Sequence, residues 1–94
     1  MGAITKNFTA TGITDAVLWK EGVMSLSGTF EATAQIEVDV SGSGQHWAPA
    51  VNLDGSIIEL NGPGTVFIET GVRTWVRARC SAHTSGTMTV ELAT

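Results

Sequence analysis

Residues 73–92 constrain the fold of this chain more than any other stretch. They read RTWVRARC, then SAHTSG, then TMTVEL. Both outer runs alternate with a period of two, the repeat of a β-strand whose successive side chains point to opposite faces. Val76, Ala78 and Cys80 share one face of the first run, and Trp75, Arg77 and Arg79 share the other. Met88, Val90 and Leu92 share a face of the second, opposite Thr87, Thr89 and Glu91. Two such runs joined by a short polar segment ending in Ser-Gly predict a β-hairpin. Its apolar rows form one wall of a core, and its other face carries a tryptophan and two cations.

The same period recurs upstream. Met24 and Leu26 alternate with serines, and Gly28 within that run predicts a bulge or a close neighbouring backbone. Over residues 32–40, Ala34, Ile36, Val38 and Val40 are expected inward, with Gln35, Glu37 and Asp39 facing water. Turns are expected at residues 20–22, 41–44, 52–55 and 61–64, where polar residues and glycine cluster. The return run after residues 41–44 contains Pro49, which suits an edge strand. About eight short strands follow, with no helical stretch, so the expected class is all-β. The architecture is an antiparallel β-sandwich, jelly-roll or immunoglobulin-like. Residues 1–94 read as one domain, with residues 1–10 an N-terminal arm whose apolar points are Ile4 and Phe8.

Charge narrows the function. Charged residues make up only 15% of the chain, against a usual quarter, so part of the surface is expected to be covered by something other than water. A formal net charge of -4 argues against nucleic acid as a partner, since that affinity comes from neutralising phosphates. No apolar run approaches the ~20 residues that span a bilayer. The opening residues lack the pattern of a secretory signal, and a single cysteine excludes an internal disulfide. The expectation is a protein made in a cytoplasm, with no membrane partner.

No catalytic or cofactor motif emerges. Cys80 and His83 could contribute to a metal site, but zinc needs three or four ligands, and Cys80 lies in an apolar row that predicts an inert buried thiol. Glu37 and Asp39 sit about 7 Å apart on one strand face. That spacing admits carboxylate-pair hydrolysis, although a solvated polar face accounts for it. The expected protein is non-catalytic, without cofactor or metal. Arg73, Trp75, Arg77 and Arg79 stand out instead, because tryptophan and arginine dominate binding hot spots. The alternative is that Trp75 packs internally and the arginines pair with Glu69, Glu91 or Asp39 across strands.

Several pieces stand in a recognisable order: LSGTF at 26–30, VDVSGSGQHW at 38–47, the turn at 62–64, Glu69, and VRARCSAHTSGTMTVEL at 76–92. In this the chain resembles the small all-β virion structural proteins of tailed bacteriophages, over most of its length from residue 23 to 92. The resemblance implies a capsid decoration (cement) protein on the outside of the head, made in the host bacterial cytoplasm. Its partners would be the major capsid protein and further copies of itself, with a trimer expected. The interface would use Trp75, Arg73, Arg77 and Arg79, with Ile4 and Phe8 of the arm as a second anchor. A tail- or fibre-associated module that binds a receptor or glycan through an exposed Trp47 or Trp19 is the alternative.

Overall fold

The computed structural model describes residues 3–40 and 45–94. Among these the chain forms eight strands and no helix: β1 (Ala3–Phe8), β2 (Gly12–Ile13), β3 (Val17–Ser27), β4 (Phe30–Asp39), β5 (Trp47–Pro49), β6 (Glu59–Leu60), β7 (Gly64–Gly86) and β8 (Met88–Ala93). All pairings are antiparallel. The strand path is β1-β8-β3-β7-β4-β5, with β2 added to β7 and β6 to β4. The all-β antiparallel sandwich expected from the period-two runs is the fold observed.

β7 lets the open sheet fold over into two layers. Its 23 residues would span roughly 75 Å if straight, while the longest dimension of the molecule is 34 Å. The strand therefore bends, and the register locates one bend. Trp19 faces Thr74 and Glu21 faces Glu69, so β7 takes five steps where β3 takes two. Gly71, with φ of +77°, lies in that excess and supplies a backbone conformation other residues rarely adopt. β7 pairs with β3 on both sides of the bend, as far as Val76, and from Val76 to Gly86 it also pairs with β4. One strand thus serves both layers. Met24, Leu26, Met88, Val90 and Leu92 of one layer meet Ala34, Ile36, Val76, Ala78 and Cys80 of the other in a single buried cluster.

The hairpin expected over residues 73–92 does not form. β8 pairs with β1 and β3, and β7 pairs with β3, β4 and β2. Only Thr87 separates the two strands, fewer than the two residues a tight hairpin needs. Gly86, with φ of +81°, instead carries the chain from one layer to the other, and a side chain there would collide with the backbone of Thr29 and Phe30. The two apolar rows consequently face each other across the core rather than lying side by side. The segment SAHTSG, expected to be the connection, is strand paired to residues 30–33 of β4.

Other details follow the same logic. No turn occurs at residues 20–22: β3 runs through them with a bulge after Trp19. Gly28 does mark a close backbone, its missing Cβ lying 2.6 Å from the Thr87 carbonyl oxygen. Pro49 is on an edge strand, as its lack of a donor requires. The turn at residues 52–55 forms, with the Gly55 amide donating to the Asn52 carbonyl at 2.9 Å. The turn expected at residues 41–44 lies outside the described residues. Residues 3–8 of the expected arm are β1, paired along its whole length with β8.

Candidate interaction surface

β7 carries Trp75, Arg77 and Arg79 on one face because each is two residues from the next. What lies across from them differs. Glu37 of β4 is in register with Arg77, and Gln35 with Arg79. The Arg77 Nε donates to Glu37 Oε1 at 2.8 Å, and Arg79 Nη1 approaches Glu37 Oε2 at 3.6 Å. The Arg77 guanidinium also stacks on Trp47, 4.2 Å from the ring centroid, a favourable contact for a partly desolvated cation. Thr74 Oγ1 donates to the Asp39 carbonyl at 3.2 Å, closing the same corner.

Glu37 and Asp39 were expected to face water. They are 5% and 6% exposed. The reason is β5: it pairs with residues 37–39 of β4 and brings Trp47 opposite Asp39. The tryptophan and the Arg77 side chain exclude solvent, and the arginine supplies the charge that makes burial of Glu37 tolerable. Val40, expected inward, is exposed past the end of β4. Among the described residues the ion-pair partner of Arg77 and Arg79 is Glu37, where Glu69, Glu91 or Asp39 was the expectation. A carboxylate held by two arginines has its lone pairs committed and is poorly placed to act as a general base.

Arg73, Trp75 and Ile4 are brought together elsewhere. They line a cleft of about 400 Å³ with Val17 and Leu18. Trp75 is 42% exposed, and exposed Arg73 has no carboxylate within ion-pair distance among the described residues. Phe8, named with Ile4 as an anchor, is 3% exposed and belongs to the core. It sits at the end of β1 opposite Met88, where the pairing turns its ring inward. The expected interface thus divides in two: Arg77 and Arg79 bind the protein's own Glu37, while Arg73, Trp75 and Ile4 form an open apolar and cationic face.

A second cleft of about 460 Å³ was not anticipated. Val40, Val51, Ile58, Phe67 and Val72 line it, with Asp39 and Glu69. It opens where β7 bends away from β4, and among the described residues the edge of β7 before the bend has no second strand beside it. Phe67 and Val72 are 59% and 69% exposed. Phe67 on the outer row of its strand and Val72 just after Gly71 were the available signals: large apolar side chains at positions that alternation assigns to solvent.

The remaining candidates are accounted for internally. Cys80 is buried, its thiol 3.4 Å from the Ala82 carbonyl, and burial pushes its pKa up. A thiol so placed is inert at neutral pH. His83 Nε2 is bonded to the Gly86 carbonyl at 2.8 Å. No group of three or more potential metal ligands occurs among the described residues. Trp19 is a core residue whose indole N–H has no partner among the described residues, and Trp47 is half-buried with Arg77 over one face of its ring. Comparison with protein-family models, with curated proteins and with solved structures found no match.

Proposed function

We propose that the chain is a non-catalytic assembly protein of a bacteriophage virion, a capsid decoration protein that binds the outer surface of the head. The observation that carries an assembly role is the exposure of Phe67, Val72 and Trp75 at the two clefts of a chain this small. Large apolar side chains gathered on a monomer surface mark places where another macromolecule sits. The resemblance in sequence to small virion proteins supplies the identity of that partner, the major capsid protein.

The mechanism follows from the chemistry of the faces. A cleft with Trp75, Ile4 and Arg73 offers an aromatic anchor, an aliphatic wall and a cation able to take a carboxylate in two-point contact. Many modest contacts of this kind, repeated by an oligomer over neighbouring capsid subunits, raise avidity without a strong single contact. Internal pressure on the shell must then break several at once.

The glycan-binding alternative is weakened at Trp47 and Trp19, since one is capped by Arg77 and the other is in the core. Counting copies per purified virion by quantitative mass spectrometry, against the major capsid protein, tests the proposal. Tens to hundreds of copies are expected. A handful per particle moves the protein to the tail, and none removes the virion reading. Arg73→Glu and Trp75→Ala are the variants to try on capsid binding. Arg77→Glu is unsuitable, because it would place a second carboxylate against the buried Glu37.

A further inference from the structure

The two clefts differ in charge and lie on opposite sides of one short segment of β7. Val72 and Thr74 line the first; Arg73 and Trp75 line the second. Alternation alone accounts for this, since consecutive side chains of a strand point to opposite faces. The first cleft is acidic. Glu69 stands directly opposite Glu21 in the β3–β7 register, with no ion-pair partner for either among the described residues. Like charges placed across a strand pair repel. The second cleft is cationic through Arg73, the one arginine not drawn to Glu37.

We infer that copies of this chain associate head to tail, the Phe67–Val72 cleft of one copy receiving the Trp75–Arg73 face of the next. Each cleft carries what the other lacks. The acidic one has apolar walls and the exposed carboxylate of Glu69; the other has an aromatic ring to bury and a guanidinium with no ion-pair partner among the described residues. Arg73 of the neighbour would pair with Glu69 while Trp75 filled the apolar cleft. Because the faces point opposite ways, one two-fold partner cannot meet both, and each copy has two different neighbours. A contact of that type is heterologous and closes into a ring when the rotation per copy divides a full turn. This deepens the assembly reading above, yet it is tested on the isolated chain, so self-association and capsid binding can fail separately.

The experiment is native mass spectrometry and sedimentation equilibrium on the full chain and on Phe67→Asp and Trp75→Asp, both partly exposed positions, with circular dichroism to verify folding. Wild-type protein is expected to be oligomeric, and each variant is expected to raise the Kd for self-association ~30-fold or more. An equal mixture of the two variants should give a dimer and nothing larger, because each retains the face the other has lost. Arg73→Glu should weaken assembly, and adding Glu69→Arg to it should restore most of the loss. The charge pair keeps the test decisive should an aspartate variant misfold. Wild-type protein monomeric at ~1 mM overturns the inference. So does either aspartate variant assembling like wild type, or a variant mixture that stays monomeric. A foreign apolar and basic segment that fills the acidic cleft instead would leave the pure chain in the first of these states.

Discussion

The two halves of β7 have similar alternation and different fates. From Val76 to Cys80 the strand has β4 on one side and β3 or β2 on the other, and Val76, Ala78 and Cys80 are fully buried. From Gly64 to Glu69 it pairs, among the described residues, with β3 alone, and Phe67 and, past the bend, Val72 stand in solvent. Arginines divide along the same line. Arg77 is locked against Glu37 and Trp47; Arg73, four residues earlier, has no ion pair among the described residues. An amphipathic strand therefore specifies two faces, but the number of neighbouring strands decides which is covered. Where no second neighbour is found among the described residues, apolar residues remain exposed.

The largest contrast should come from placing the same residue in both halves. Val76→Asp puts a carboxylate in the core at a cost of more than about 5 kcal/mol, comparable to the stability of a whole domain. It should abolish the cooperative thermal transition. Val72→Asp should stay within about 0.5 kcal/mol of wild type in urea unfolding. Equal losses at the two sites would erase the distinction drawn between the halves.

Next in size is the ion pair. Arg77→Met leaves Glu37 buried without its main partner and should destabilise the fold by about 3 kcal/mol. Combining it with Glu37→Gln should recover most of that, as a denaturation cycle would show. Arg79→Met, at a more exposed and longer contact, should cost under about 1 kcal/mol.

Cys80 sharpens the sealed half by pH. Burial raises its thiol above the ordinary 9.0, so the unfolded chain ionises first as pH rises. Its contribution to stability is complete below the unfolded value and is lost as pH climbs through the folded one. Wild type should lose stability in that window relative to Cys80→Ala, and the native thiol should resist a disulfide reagent at pH 7 until denaturant is added. The smallest effect is at the open half. Glu69→Lys converts the Glu21 pair from repulsive to attractive and should stabilise the monomer by about 0.5 kcal/mol, less in high salt.

Individual strands were legible because alternation is local: the rows of Met88, Val90 and Leu92, or of Val76, Ala78 and Cys80, identify an inner face whatever the partner. Partners were not legible. The hairpin expected at residues 73–92 failed on a single residue of connection, and the direction of Gly86 depends on Thr29 and Phe30, more than fifty positions away. Glu37 looked solvated for a similar reason. Its alternating run gives it to the outer face, and nothing nearby in the chain announces that Trp47 and Arg77 will cover that face. Of the site, Trp75, Arg73 and Ile4 were identifiable by residue type. Their separation from Arg77, Arg79 and Phe8 was not.

What the chain's order of residues determined by itself is the class and the rows of each run that turn apolar, since these rest on side-chain period. Where strands begin and end was not determined, as residues 20–22 and 81–86 lie inside strands. Tertiary structure alone decided which strands meet, that one long strand would serve both layers, and that its bend would leave two clefts of opposite charge. Pairing is a competition among distant segments for the same backbone donors and acceptors. Its outcome depends on how all the rows close around one core, a condition that no local stretch contains.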